Sequence, residues 1–425
     1  MKYLILLLKS SVKRTFLILA SLIPLGSISM ANADVSEAHN FALPEGRIVQ
    51  RTIHNVQEFE SLKADSARYQ IIRDGKLITF GSRLELLSSV NITNPIVWTN
   101  TKEGYPIGIT DCTALAFGLD ECKSITNLET GLSVFRVPNG EHLDTHELLI
   151  DPEGNFWYLS YPKSKCEASS DICQKFNIPK GKYFVDCQVN QISRAGREIF
   201  SWKASAHIPP TMIVKSYIPE GPRQNYLDLF HCNSIDLVDS ENFLISARNN
   251  DAIYQVNKKT SNISWKLGGH YWPNVSVRAV GFDRRVGKEA IAQHDARYLG
   301  GGLYSYFDNA SHTNKPARGI VFSLTQKGNV KVARMRTAYI NPDGNSSLCT
   351  GSFTKVSEQT YVVGWGCSLN GITIFTAAGL PIVTLNFIVT EATRSLFSDQ
   401  PWILNGEDWG PRTNRAFSYR VVTTR

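Results

Sequence analysis

Short runs of β-branched and aromatic residues, bounded by Gly, Asn, Asp and Pro, recur along the chain, and helical periods are few. "NFWYLSY", "NFLISAR", "TYVVGWG", "GIVFSL" and "GITIFT" each have the composition and flanks of a strand. One larger unit repeats: an apolar run, a turn, then a second apolar run. It occurs as "YQIIRDGKLITF", "ITNLETGLSVFRV", "VNQISRAGREIFSW", "IYQVNKKTSNISWKL", "IVFSLTQKGNVKV" and "ITIFTAAGLPIV", turning at Gly75, Gly131, Gly196, Ser261, Gly328 and Gly379. A single Gly-bearing hairpin is a weak signal. Six at near-regular intervals, somewhat longer than the roughly 40–50 residues of a standard blade, predict an all-β fold, a six-bladed β-propeller with loop insertions. Trp202 and Trp265 follow their turns at similar offsets and support the middle pair.

The expected organisation is a leader over residues 1–33, an N-terminal extension over 34–65 and the propeller over 66–425. Residues 34–65 read as irregular, and either an extension or a ring-closing strand fits them. A partial N-terminal β-domain to about residue 100, followed by fewer blades, is the alternative. The leader follows from Lys9, Lys13 and Arg14, the apolar run "TFLILASLIPLG" and an A-x-A site at Ala31 and Ala33 before Asp34. Ser21, Pro24 and Gly26 interrupt that run, which favours a cleaved signal peptide over a membrane anchor. The expected location is periplasmic or secreted, with no membrane span after cleavage.

Charge and cysteine then narrow the partners. The whole chain carries a formal +7, and no basic cluster resembles a nucleic-acid footprint, so nucleic acid is not an expected partner. All eight Cys lie beyond the leader, in a compartment that permits disulfides. Cys112 and Cys122 flank one loop and Cys166 and Cys173 another, while Cys349 and Cys367 stand where neighbouring strands bring them close. Connectivity is left open by the sequence, with free buried thiols the default for Cys187 and Cys232. With no C-x-x-C pair, a structural zinc site is disfavoured.

Three of the nine His occupy comparable places before a turn and a second strand. They are His146 in "DTHELLIDPEGNFWYLSYP", His231 in "DLFHCNSIDLVDSENFLISAR" and His294 in "AQHDARYLGGGLYSYFDN". Equivalent strands of a propeller point at one axis, so these side chains are expected to converge at one end of a channel. Arg248 closes the strand after His231, and Asn233 lies two residues beyond it. Three His alone suggest zinc. An arginine among them favours an oxyanion, because its planar fork suits a tetrahedral anion and would repel a metal. Structural roles for most of these His remain the third alternative.

The chain resembles the arylsulfate sulfotransferases, in a broader short-chain branch, over roughly residues 105–425. The resemblance rests on "THELLIDPEGNFWYLSY", on the segment from "LFHCNSIDL" through "NFLISARNN" to "SWKLGG", on "QHDARY" with "SYFDN", and on "GSFTKVSEQTYVVGWG" with "SYRVV". It implies an exported propeller that moves a sulfuryl group from an aryl sulfate to a phenol, without a nucleotide donor, cofactor or metal. By motif it implies His294 as the nucleophile, forming a sulfohistidine, and His146, His231 and Arg248 as sulfuryl-binding residues. Asn233 stands beside the binding His. A covalent intermediate implies ping-pong kinetics. Aryl sulfates and phenols are the implied partners, and the oligomeric state is left open. The insert "HYWPNVSVRAVGFDRRVGKEA", with Trp272, Phe282, Arg284 and Arg285, either shapes acceptor choice or packs as a loop. The competing function is a non-catalytic propeller that binds an anionic ligand or a partner protein in its channel.

Overall fold

Each of the six repeated units folds as an antiparallel hairpin. Arg68–Arg73 pairs with Lys76–Phe80, Glu121–Asn127 with Ser133–Arg136, and Gln188–Ile192 with Glu198–Lys203. Ala252–Asn257 pairs with Ile263–Gly268, Arg318–Lys327 with Val330–Ile340, and Ile372–Thr376 with Pro381–Phe387. The turn residues Gly131, Gly196, Ser261, Gly328 and Gly379 have left-handed φ of 72°, 79°, 60°, 58° and 86°. A tight reversal between right-twisted strands needs this conformation, which explains why glycine fills four of the five places.

In this computed structural model the described residues are 36–42, 48–73, 76–92, 97–113, 121–137, 142–213, 226–283, 288–311, 313–366, 371–387 and 422–424. Gly75, Cys367, Arg284 and Arg285 lie outside them. By contacts the chain divides into residues 1–33, also outside the described residues, and Asp34–Arg425.

Each hairpin belongs to an open sheet of four or more strands, antiparallel except where Arg278–Val280 joins Val330–Ile340 in parallel, and the protein is all-β. Three of these sheets begin with a short strand, Trp98–Asn100, Leu148–Ile150 or Ser352–Lys355, and a fourth with the longer Cys232–Leu237. A fifth begins with His294–Gly300. The sheet of the first hairpin instead gains Val422–Thr424 from the C-terminal end, paired to Arg68–Arg73. Segment 34–65 contributes the strand Ile48–Ile53, which pairs with Pro381–Phe387 and continues to Ser36–Ala42. A separate three-stranded sheet joins Lys163–Lys165, Tyr183–Val185 and Tyr226–Asp228. Among the described residues no helix is long and apolar enough to cross a membrane.

One face of each sheet cannot hide its apolar residues alone, so consecutive sheets share cores. Val97, Ile109, Phe135, Phe156 and Tyr158 fill the space between the second and third hairpin sheets. Trp157, Val189, Trp202, Phe243 and Tyr254 fill the next. Leu244, Trp265, Tyr304 and Phe322 follow, then Phe307, Tyr339, Phe353 and Trp365. Tyr69, Ile78, Phe80, Ile374 and Leu385 join the last sheet to the first, and Leu77, Trp98 and Leu128 join the first to the second. The buried indoles also keep polar partners. Trp202 Nε1 donates to Ser261 O of the neighbouring hairpin turn at 3.0 Å, and Trp265 Nε1 to Gln255 Oε1 at 2.9 Å. Burying a Trp this way combines large apolar area with a satisfied N–H.

Cys112–Cys122 and Cys166–Cys173 are disulfides. Cys187 and Cys232 are not free thiols, as the sequence suggested, but a third disulfide. They lie 45 residues apart in sequence, and only the folding of one sheet beside another brings them within reach, with Cα atoms 5.9 Å apart. Cys349 is also disulfide-bonded. Such bridges belong to an oxidising compartment.

Candidate functional site

In an antiparallel sheet the start of the first strand adjoins the end of the second. His146 precedes Leu148–Ile150, His231 precedes Cys232–Leu237 and His294 opens His294–Gly300. Arg248 follows Asn242–Ala247, Tyr161 follows Phe156–Ser160 and Asn309 follows Leu303–Asp308. Six side chains from three sheets therefore meet at one end. The rings of His146 and His231 cross edge to face with centroids 4.9 Å apart, and Tyr161 lies 5.9 Å from His231. The Tyr161 hydroxyl donates to Cys232 O and stands 3.4 Å from His146 Nδ1.

Each ring is held through Nδ1. His146 Nδ1 meets Asp144 Oδ2 at 2.7 Å and His231 Nδ1 meets Asp228 Oδ2 at 2.5 Å. The same carboxylates accept the two backbone N–H groups, at 2.7 and 3.0 Å. His231 also has a left-handed φ of 47°, a cost that this double grip by Asp228 offsets. His294, 2% exposed, has Nδ1 between Ala292 O at 3.0 Å and Asn309 Oδ1 at 2.7 Å. Both partners accept, so Nδ1 carries the proton of the neutral ring and Nε2 its lone pair.

The loop before His294 is fixed from both sides. Ala292 N donates to Asp251 Oδ1 at 2.8 Å and Ile291 N to Asp308 Oδ1 at 3.0 Å. Asn233 Nδ2 donates to Gln293 O at 2.8 Å, so Asn233 holds the backbone leading into His294. Arg248 donates to Asn249 Oδ1 and to Leu348 O. Burial holds the His294 pKa well below its ordinary value, and the neighbouring charges of Arg248, His146 and His231 act in the same direction, against its bond to Asn309. Burial also lowers His231, opposed by Asp228. The outcome is an uncharged imidazole facing a cationic group, suited to a bound anion and to attack by nitrogen.

His146, His231, Arg248 and His294 thus come together. His142 instead accepts from Lys123 Nζ at 2.6 Å, on the strand Glu121–Asn127. In the insert, Phe282 packs on Phe322 with centroids 6.1 Å apart and belongs to a core, and Trp272 N donates to Ser276 Oγ. Sequence reading missed Asp144, Asp228, Tyr161 and the role of Asn309. An aspartate two or three residues before each of two His was the available signal for the first pair. The Cys187–Cys232 bridge was missed too, although it fastens the residue after His231 to the neighbouring sheet. Removing it as the Cys187→Ala, Cys232→Ala pair is expected to cost about 2–4 kcal/mol, read as a lowered Tm, with the loss of turnover concentrated in KM.

Among the described residues no group of three or more His, Cys, Asp or Glu is arranged to hold a metal ion. An all-β frame that gathers three histidines and an arginine at one buried end is the class of protein these observations define. The chain belongs to the arylsulfotransferase (ASST) family, whose model matches residues 123–387 and so spans the histidines, Arg248 and the residues that hold them. At family level this is sulfotransferase chemistry on aryl substrates. No curated protein matches the chain. Among solved structures it is similar to a protein of unknown function from Bacteroides caccae (9% identity, 77% of this chain, 96% of that one, TM-score 0.39). It is also similar to Kuenenia stuttgartiensis hydrazine synthase (8% identity, 83% of this chain, 80% of that one, TM-score 0.35). A third likeness is to the PQQ-bound aldose sugar dehydrogenase of Streptomyces coelicolor (11% identity, 83% and 96%, TM-score 0.32). At these scores the likenesses carry no argument.

Proposed function

We propose that this protein is an exported sulfotransferase that moves a sulfuryl group from an aryl sulfate to a phenol through His294, by a ping-pong route without a nucleotide donor. The observation that carries the reading is the neutral His294, with its lone pair on Nε2, facing Arg248, His146 and His231. In the first half-reaction Nε2 forms a bond to sulfur as the S–O bond to the aryl group breaks, and the electron pair leaves with the aryl oxide. Arg248 and the two other His stabilise charge on the sulfuryl oxygens, as cationic donors do in phosphoryl transfer. The aryl oxide leaves as the anion and takes its proton from solvent. In the second half a phenol oxygen bonds to sulfur as the N–S bond breaks, the electron pair returns to Nε2 and the phenol proton passes to solvent.

The six meanders and the six cores in cyclic order support a reading of residues 66–425 as a six-bladed propeller, with 34–65 as an extension. The site would lie at one end of its axis. The disulfides support export, with residues 1–33 as a cleaved leader.

Intact-protein mass spectrometry after mixing with an aryl sulfate tests the function. One added sulfuryl mass, mapped to His294 and discharged by a phenol, is expected. Saturable binding of the aryl sulfate with no adduct and no transfer would establish the non-catalytic reading instead.

A further inference from the structure

The three rings differ in what grips Nδ1. His146 and His231 donate to the carboxylates Asp144 and Asp228, whereas His294 donates to the carboxamide of Asn309. A carboxylate stabilises an imidazolium beside it far better than a neutral amide oxygen does. The amide is not free to turn. Asn309 is fully buried, its Nδ2 donates to Thr350 O at 2.8 Å and reaches Ser347 Oγ at 3.3 Å, and its backbone carbonyl separately accepts from Ser347 N at 2.9 Å. Thr350 O can only accept, so the amide nitrogen must face it and the amide oxygen must face His294. The titratable and charged groups facing His294 are Arg248, His146 and His231, and none of them brings negative charge.

We propose that Asn309 is the positioning residue that makes His294, rather than its carboxylate-backed neighbours, the acceptor of the sulfuryl group. The proposal rests on the sulfuryl-transfer reading above. Asn309 keeps the ring neutral with the lone pair on Nε2 before attack. After the N–S bond forms, Nδ1 still holds its proton, because an amide oxygen does not take it. The sulfonated ring is therefore a cation, and its N–S bond breaks readily when the phenol attacks, returning a neutral imidazole. A carboxylate in place of Asn309 would oppose both steps. It would favour an imidazolium with no lone pair at rest, and it would draw the Nδ1 proton from the sulfonated ring, leaving a poorer leaving group.

Nitrogen-15 NMR of the full chain labelled at histidine tests this without any change at position 309, with His294→Asn identifying the signal. The expected result is a neutral ring protonated on Nδ1 from pH 6 to 8. A proton on Nε2, or an imidazolium at pH 7, overturns the proposal. In Asn309→Asp the acid limb of kcat/KM for an aryl sulfate is expected to rise by about 1–2 pH units, with kcat/KM recovering above it while kcat, limited by the poorer leaving group, stays low. Asn309→Ala is expected to lower kcat by about 10–100-fold with KM little changed. A folded Asn309→Asp variant with an unmoved acid limb would exclude the role. If wild-type protein forms no sulfuryl adduct, the transfer reading fails, while the NMR result still decides whether Asn309 sets the tautomer.

Discussion

Replacing His294 with asparagine is expected to lower aryl sulfate turnover by at least about a thousand-fold while the fold survives, because the nucleophile is lost but its buried polar partners are not. The asparagine amide nitrogen can still donate towards Ala292 O and Asn309 Oδ1, the two atoms that now hold Nδ1. No buried acceptor is stranded, so the change in stability should stay within about 1–2 kcal/mol. The sulfuryl adduct should vanish, whereas binding of the aryl sulfate should persist through Arg248, His146 and His231. Single-turnover kinetics and a melting curve on the same preparation separate the two effects. Unchanged turnover in a folded His294→Asn variant would remove His294 from the chemistry.

How much of this could be read from residues alone depends on range. The six hairpins were legible because each is local: two apolar runs of strand length and a left-handed turn, as at Gly196 and Gly379, are written within a dozen residues. The short strands before them, such as Leu148–Ile150, carry too few residues to show a period. The pairing of Val422–Thr424 with Arg68–Arg73 spans almost the whole chain and leaves no local trace. In the site, the histidines stood out because the residue type is rare and each lies in a similar string. Their supports did not. Asp144 and Asp228 look like ordinary turn aspartates, and Asn309 touches His294 only because its strand lies beside the one His294 opens. The Cys187–Cys232 bridge left no local trace for the same reason, since Cys187 precedes Gln188–Ile192 while Cys232 opens a strand of another sheet.

The largest expected loss of stability lies just behind the histidines, at Arg297. Its guanidinium lies 2.6 Å from Glu147 Oε2 and 2.5 Å from Asp295 Oδ1, and its Nη1 donates to Ile235 O at 2.6 Å. Asp295 Oδ2 accepts from Phe353 N at 2.6 Å, and Asp236 Oδ2 from Tyr298 N at 2.6 Å. One cation thus ties together residues from four sheets, and two of its partners adjoin His146 and His294 in sequence. Burial pushes the Asp236 pKa up to about 6, against the pull of Arg297. Arg297→Met leaves the buried carboxylates of Glu147 and Asp295 and the half-buried one of Asp236 without their cation and is expected to cost about 3–5 kcal/mol, read by denaturant unfolding at pH 7. Part of that loss should be relieved by a second change, Asp236→Asn, which removes one of the charges and keeps an acceptor for Tyr298 N. The pH sense follows from the raised value: a protonated Asp236 contributes stability that is fully present below about pH 4 and lost as pH rises through about 6. Asp236→Asn alone should therefore flatten the stability profile over that window. If Arg297→Met unfolds at the wild-type denaturant midpoint, the cluster is not what binds these sheets beneath the site.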